Sequence, residues 1–431
     1  MNPLLPLTVY WRAMALDGEP GITFPGLGPR QWLTALGGAT AVAAFATLFT
    51  LLANVLILRL LPVDQAGQYA LFTALVPVLA LIGGLGQPGL LMRRYSLRPP
   101  GHFDWVADTL RALAFSLPGL GLCVAAAAML YPLSLGSIAF LGAAAPLLVL
   151  AQSAASLLNA HRFYVGSTLL VRLPNSLMIL PALLALLAPR LAQLGILLGA
   201  HLVAIGLTLA AGVALLARHV PRGKATIAGR DRWEGLSLGV LAGTHLLLDE
   251  GLLAIAGSVV SPNSVAAFAA IEAFVRPLYL LQNVTLRVLT VEVVRDLRLR
   301  PRRIALALWG GGALLAAGLI LLLPFVIPWV YSGRFDEFIG LGAPLALMGG
   351  LLLTETLPRS TLVGRGSSKD LRRFATAQTL IALAGVALIL ALAKSLGILG
   401  AAWAGAVVAG IRNVAAYGFY LSHRRRLAIS S

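Results

Sequence analysis

The sequence predicts an all-α polytopic membrane protein with about twelve transmembrane helices, arranged as two parallel six-helix lobes around a central cavity. Its composition, the alternation of charge between apolar segments and an internal repeat predict this fold. Of 431 residues, 59% are hydrophobic and 11% are charged, whereas about a quarter of a soluble domain is charged. Apolar stretches of about 20 residues recur, which is the length that crosses a bilayer core. They are continuously apolar, so a β-barrel is not favoured.

Each of the twelve predicted helices is an apolar run between polar or Gly- and Pro-containing connections. They are expected at residues 33–58, 69–92, 105–130, 137–160, 168–188, 195–217, 236–260, 265–293, 304–330, 340–363, 374–393 and 397–421.

The helices predict how the chain is divided. The divisions are a cytoplasmic N-terminal arm at 1–32, a first lobe at 33–217, an inter-lobe linker at 218–235, a second lobe at 236–421 and a basic tail at 422–431. The arm lacks the basic-then-apolar pattern of a signal peptide. Cys123 is the only cysteine, which excludes an internal disulfide and a cysteine metal cluster.

Basic residues are concentrated on alternate connections. Of 33 Lys and Arg residues, 24 fall on one set of connections, with Arg172 counted among them, and only 4 on the other set. Short loops rich in Lys and Arg remain in the cytoplasm, so both termini are expected there. We interpret the runs at 295–303 and 424–426 as topology signals that attract anionic membrane lipids. No soluble module or aromatic platform accompanies them, so nucleic-acid binding is not expected.

An internal repeat has an offset near 200 residues. The segment AFLGAAAPLLVL at 139–150 aligns with EFIGLGAPLALM at 337–348, and Pro77 aligns with Pro277. Each half would hold an even number of helices and start on the same side. The halves are therefore parallel repeats, an arrangement in which two bundles rock about a site between them.

Charged residues inside the apolar segments are the candidate site. A charge near the bilayer centre costs at least about 2.5–3.5 kcal/mol, so it normally faces a cavity or a partner. The candidates for the cavity are Arg276, Arg287, Arg359, Arg412 and Asn54; those for coupling or charge balance are His245, Asp249, Glu250, Glu272 and Glu355.

Several of these charges lie beside prolines, and Pro77, Pro277 and Pro358 are the expected helix breaks. Arg276 precedes Pro277, and Arg359 follows Pro358. A proline removes one backbone hydrogen bond and frees a carbonyl inside the membrane. Charge beside such a position indicates a polar cavity, although each pair spaced i,i+4 with an acid could also neutralise itself within one helix.

Arg412 has no acid within one turn. Its partner is expected to be a substrate anion, or Asp249 or Glu250 on another helix. Arg287 could line the cavity or reach the cytoplasmic face. Arginine suits phosphate and pyrophosphate because its forked donors are permanently charged. The acids and His245 could bind protons if they were desolvated.

The stretch at 53–94 resembles the start of bacterial polysaccharide flippases of the O-antigen type. These belong to the multidrug/oligosaccharidyl-lipid/polysaccharide exporter superfamily. The resemblance rests on Arg59-Leu60-Leu61-Pro62, Asp64, Gly67 and Tyr69, and on the Gly-rich 83–86 followed by Arg93. Residues 265–268 depart from the pattern of the second half, and the arm lies outside it.

The resemblance implies a twelve-helix, two-lobed protein of the bacterial inner membrane. It implies transport of an undecaprenyl-pyrophosphate-linked oligosaccharide, no cofactor beyond a coupling H⁺ or Na⁺, and polysaccharide polymerase or export machinery as partners. One alternative is a cation-coupled drug or metabolite exporter of the same superfamily. Another is a membrane-embedded glycosyl- or acyltransferase, which the short outer loops do not favour, so an enzyme is not expected.

Overall fold

In the computed structural model, the described part of the chain is helical. It comprises residues 29–96, 98, 100–131, 133–229, 232, 235–236, 238–240, 243–244, 251–295, 301–365 and 368–430. Strands are absent from these residues, where Phe103 and Ala225 form an isolated bridge. Ten helical segments among them are long and apolar enough to cross a membrane. The prediction of a polytopic helical membrane protein is confirmed.

The described residues of the first half form eight α-helices. They are α1 (Pro29–Leu60), α2 (Val63–Gly83), α3 (Gln87–Ser96), α4 (Trp105–Leu130), α5 (Leu135–Ala160), α6 (Tyr164–Leu177), α7 (Ile179–Leu187) and α8 (Leu194–His219). A 3₁₀ turn at Pro189–Leu191 joins α7 to α8.

The second half contains five described α-helices. They are α9 (Leu252–Gly257), α10 (Pro262–Arg295), α11 (Pro301–Tyr331), α12 (Gly342–Arg365) and α13 (Ser368–Ser430). A 3₁₀ turn at Asp336–Leu341 precedes α12. Much of the helix predicted at 236–260 lies outside the described residues, and α9 is the part of it that the structure shows as a continuous helix.

The 63-residue α13 is a hairpin of two helices. Gly397 has non-helical torsions, with φ 66° and ψ −155°. The rings of Phe374 and Phe419 lie 5.6 Å apart and His423 Nδ1 lies 3.4 Å from Asp370 Oδ2, which shows that the chain reverses at Gly397. The two arms of this hairpin correspond to the helices predicted at 374–393 and 397–421.

The helix predicted at 69–92 needs correction. The structure has α2 from Val63 to Gly83 and then a turn in which Leu85 (φ 49°) and Gly86 (φ 69°) are left-handed. The left-handed region is accessible to glycine without a steric cost. The sequence carries signals of this turn in the Gly-rich 83–86 and in Pro88, although the predicted helix ran through them.

The predicted helix breaks at Pro77, Pro277 and Pro358 are absent at these three described positions. α2, α10 and α12 each continue through their proline. A proline removes one hydrogen bond, but helices packed around it inside a membrane protein can compensate for the freed group. The interruptions occur instead at Leu85–Gly86, at Met178 between α6 and α7, and at Gly397.

We name the two ends of the helix bundle by their connections. The basic face carries residues 93–104, 161–163 and 218–229, and the opposite face carries residues 61–62, 131–134 and 332–341. At the opposite face, Arg334 donates to the carbonyl of Leu58 at 2.7 Å and of Leu61 at 3.3 Å. Tyr131 donates to the carbonyl of Ala254 at 2.6 Å. These contacts join the two halves there.

The halves also meet towards the basic face. Ala39, Ala43 and Tyr164 form a buried apolar cluster with Leu280, Val284 and Val288 of α10. Gly86 packs so closely on Gly235 and Gly239 that an added Cβ would collide with their backbone atoms. Contacts on both sides therefore enclose the space between the halves.

The linker predicted at 218–235 is docked onto the first half wherever the structure describes it. Asp104 N–H donates to the carbonyl of Ala225 at 2.7 Å. The buried Asp108 accepts from Ile227 N–H at 3.0 Å and pairs with Arg232 at 3.0 Å. Hydrogen bonds from Arg222 hold the pKa of Asp104 below its usual value. The linker is thus part of the first half structurally.

Candidate functional site

A cavity lies between the two halves. It contains about 1180 Å³ of empty space, including the part open to solvent. Its walls come from α1, α2, α5, α6 and α8 of the first half and from α10 of the second half. The polar residues that line it are Asn54, Tyr69, Thr73, Gln152, Arg172, Asn175, His201, Glu272, Arg276 and Tyr279.

Among the residues that the structure describes, two arginines line the cavity, and they come from different halves. Arg172 lies on α6 and Arg276 on α10. Arg276 is 3.7 Å from the Oε2 atom of Glu272, one helical turn away; its side chain is 31% exposed whereas that of Glu272 is 5% exposed. The long pairing distance and the exposure of Arg276 leave its guanidinium accessible from the cavity. The arrangement suits a ligand with negative charge.

Arg172 is a cavity residue that the sequence analysis missed. It was assigned to a connection on the basic face, whereas the structure places it eight residues into α6. The signal was present, because Arg172 precedes Pro174 by two residues. Arg276 beside Pro277 shows the same combination of arginine and proline, and there the sequence did indicate a polar cavity.

Two prolines line the cavity. Pro77 and Pro174 are among its lining residues, and each lacks the N–H that would bond the carbonyl four residues earlier. Those carbonyls belong to Thr73 and Leu170, which line the same cavity.

The lining residues are sorted by depth. Asn54, Tyr69 and His201 lie six or seven residues from the opposite-face ends of α1, α2 and α8, or about 10 Å along each helix. Arg172 lies fifteen residues from the end of α7 and Arg276 fourteen from the start of α10, or about 22 Å. The positive charge is therefore on the side of the cavity that faces the basic face.

Two other predicted residues are paired inside the second half. Arg412 Nη2 lies 3.2 Å from Glu355 Oε2, and their side chains are 1% and 2% exposed. Neither they nor the buried Arg359 are among the residues that line the cavity. From the sequence, Arg412 was expected to pair with a substrate anion, Asp249 or Glu250, whereas its partner in the structure is Glu355 of α12.

The remaining predicted residues cannot be placed in the site. His245, Asp249 and Glu250 lie outside the described residues, as does the side chain of Arg287. Of the predicted set, the cavity brings together Asn54, Pro77, Glu272 and Arg276. Among the described residues, no group of three His, Cys, Asp or Glu could hold a metal ion.

Solved structures share this fold at low sequence identity. No protein-family model matches the chain, and no curated protein sequence matches it. An outward-facing multidrug resistance MATE family transporter of the MOP superfamily is 17% identical over 96% of this chain and 99% of its own, with a TM-score of 0.65. Lipid II flippase MurJ, in an inward closed conformation, is 14% identical over 88% and 86%, with a TM-score of 0.62.

A third structure of this fold is described by the polarity of its binding pocket. It is a MOP superfamily transporter from Pyrococcus furiosus, described as having a pocket of reverse polarity that suggests a different function. It is 16% identical over 93% of this chain and 96% of its own, with a TM-score of 0.65. These likenesses show that the chain has the two-lobed fold of this superfamily.

Proposed function

We propose that this protein is a flippase for an undecaprenyl-pyrophosphate-linked oligosaccharide. It would move this lipid from the inner to the outer leaflet of the bacterial inner membrane by alternating access, for surface polysaccharide biosynthesis. The observation that carries the proposal is the pair Arg172 and Arg276, contributed to one cavity by different halves. Arginine binds pyrophosphate oxygens through its forked donors. A group held by both halves would couple its own movement to theirs.

The rest of the cavity suits the glycan. Asn54, Gln152 and Asn175 provide amides, and Thr73 and Tyr279 provide hydroxyls. Sugars offer hydroxyl groups to such side chains, whereas a lipid tail would not satisfy them. The solved flippase MurJ, which shares the fold, is described as acting on lipid II. That likeness supports a lipid-linked cargo for this chain.

Alternating access is supported by how the halves meet. They are parallel repeats that contact each other on both sides of the cavity, through Arg334 and Tyr131 towards the opposite face and through the apolar cluster towards the basic face. Breaking one set of contacts while keeping the other would expose the cavity to one side, as in the rocking of repeats about a fixed site.

A cation-coupled drug exporter is the second candidate, and Glu272 is the observation that favours it. A buried carboxylate in a cavity can bind a cationic compound, and the MATE transporters that share the fold are described as multidrug resistance proteins. Arg276 lies 3.7 Å from Glu272, however, and a cationic cargo would have to displace this arginine. The anionic cargo is therefore the better fit.

The test replaces each cavity arginine in the native host. We expect Arg172→Ala and Arg276→Ala to leave the protein in the membrane, and the lipid-linked glycan to accumulate while surface polysaccharide falls. Each charged hydrogen bond contributes about 1.5–3 kcal/mol, so transport should fall by about tenfold or more. Lipid extracts, surface glycan and protein level are measured together.

The matched control is Arg190→Ala, because Arg190 is exposed at the opposite face and outside the cavity. It should behave as wild type. Normal surface glycan in both cavity variants would overturn the proposal. Altered resistance to cationic compounds on deletion, with intact surface glycan, would instead support the drug exporter.

A further inference from the structure

The end of the cavity that lies towards the opposite face contains uncharged hydrogen-bonding side chains. Asn54, Tyr69 and His201 are at this end, and all three belong to the first half. The backbone positions of the arginines lie about 12 Å further along the helices, towards the basic face, and the Arg276 side chain acts electrostatically on Tyr69 between the two ends. A ligand that spans the cavity would therefore meet charge at one end and neutral donors and acceptors at the other.

His201 is the distinctive residue of this uncharged end. It is 4% exposed, and its Nδ1 atom is buried without a hydrogen-bond partner. Its ring packs edge-on against Phe140, with centroids 6.4 Å apart. An unsatisfied buried polar atom costs about 1–3 kcal/mol. His201 lines the cavity, and a rotation of its ring that turns this nitrogen towards the cavity would let it bond a ligand hydroxyl.

We propose that His201 recognises the sugar that follows the pyrophosphate, and so determines the selectivity of this cavity for glycan-bearing lipids. The proposal rests on the proposed function. The pyrophosphate would lie between Arg172 and Arg276, and the first sugar would extend towards Asn54, Tyr69 and His201. The glycan would then point towards the opposite face, which charge distribution assigns to the outside of the cell. The cargo would enter the cavity with its sugar ahead of its pyrophosphate.

Two probes separate sugar recognition from pyrophosphate recognition. One is a short-chain polyprenyl pyrophosphate, and the other is the same lipid carrying one N-acetylhexosamine. Binding of each to the full-length protein in nanodiscs is measured for wild type, His201→Leu and Arg276→Ala. We expect His201→Leu to weaken binding of the sugar-bearing probe by about three- to tenfold, which corresponds to one hydrogen bond, and to leave binding of the sugar-free probe unchanged. Arg276→Ala should weaken binding of both probes.

Controls keep the result interpretable. His219→Leu changes a histidine of the same helix that stacks on Phe163 and lies outside the cavity lining, and it should bind both probes as wild type does. His201→Asn retains a hydrogen-bonding side chain and should recover most of the affinity for the sugar-bearing probe. This recovery would not be expected if His201→Leu had only damaged the fold.

The inference is overturned if His201→Leu weakens binding of both probes equally or changes the binding of neither. It is also overturned if wild type binds the two probes with equal affinity, since the sugar would then contribute nothing. A wild-type protein that binds neither probe would overturn the proposed function itself, which is a different outcome.

Discussion

Arg412 of α13 and Glu355 of α12 form an ion pair that is almost completely buried, with Nη2 and Oε2 3.2 Å apart. Asn413, the next residue, donates to the carbonyl of Leu351 at 3.0 Å and to the hydroxyl of Thr354. This network joins the last helix of the second half to α12. It assigns Arg412 a role in holding the second half together.

Removing one member of this pair should destabilise the protein. Arg412→Ala leaves the buried Glu355 with Arg359 as its remaining neighbouring cation, and breaking a buried pair costs up to about 3–5 kcal/mol. We expect a loss of that order in the free energy of unfolding of the purified protein in detergent. The double variant Glu355→Leu with Arg412→Met should recover part of this loss, because apolar residues of similar volume often replace a buried pair, and the rest of the loss reflects Arg359, which then loses this acid.

Lys394→Ala, at an exposed position of the same hairpin, is the control and should change stability by less than about 0.5 kcal/mol. If Arg412→Ala left stability unchanged but abolished transport, Arg412 would instead be a residue that contacts the cargo.

The docked linker leads to a second prediction, about proteolysis. Asp108→Asn leaves Arg232 buried without a carboxylate partner, so the linker should detach more often. Trypsin cleavage after Arg222 and Lys224 should then accelerate by about tenfold or more, since local opening determines access. Cleavage sites are identified by mass spectrometry of the protein in nanodiscs. Asp336→Asn, an exposed acid of the opposite face, should have no effect, and equal cleavage in both variants would show that the pair does not hold the linker.

The third prediction concerns Gly86, where the backbone lies very close to Gly235 and Gly239. Its φ is +69°, and a Cβ there would collide with the carbonyl oxygen of Gly235 and the backbone nitrogen of Gly239. Both the left-handed torsion and the collision penalise a side chain. Gly86→Ala should therefore lower the melting temperature by several degrees. Gly121→Ala is the matched control, since nothing lies within 4 Å of a Cβ at that position, and an equal effect of both changes would refute the role of Gly86.

Arg334 gives a fourth prediction, about access to the cavity. Its guanidinium donates to the carbonyls of Leu58 and Leu61 at the opposite face, so Arg334→Gln should weaken the closure there. In a Cys123→Ala background, Asn54→Cys should then react about threefold or more faster with a membrane-impermeant maleimide added from that face. Arg190→Ala serves as the control because Arg190 is exposed on the same face. A labelling rate unaffected by Arg334→Gln would exclude Arg334 as a closing contact.

The sequence predicted much of the fold because the signals were local. Apolar runs located α1, α4, α5 and α8 to within a few residues. Leu396-Gly397 aligned with Leu194-Gly195 in the repeat, and the structure begins α8 at Leu194 and reverses the chain at Gly397. The turn at Leu85–Gly86 was missed although the Gly-rich 83–86 and Pro88 mark it. The prolines inside α2, α10 and α12 did not break these helices, because packing compensates for a lost hydrogen bond.

The candidate site was only partly predictable, for a different reason. Arg276 and Glu272 were identified because they are charges inside an apolar segment, with Arg276 beside Pro277. Arg172 was taken for a topology signal because basic residues near a helix end usually are. The partner of Arg412 was missed because a pairing between helices depends on how the helices pack, which spacing within one helix does not describe.

The amino-acid sequence by itself determined that this is a helical membrane protein with repeated halves and an asymmetric charge distribution. These properties depend on the length and polarity of short segments, which the bilayer selects directly. Only the tertiary structure decided which charges share a space. Arg172 and Arg276 line the same cavity and Arg412 does not, because α6 and α10 both pack against α1, whereas α12 packs against α13 and buries Arg412.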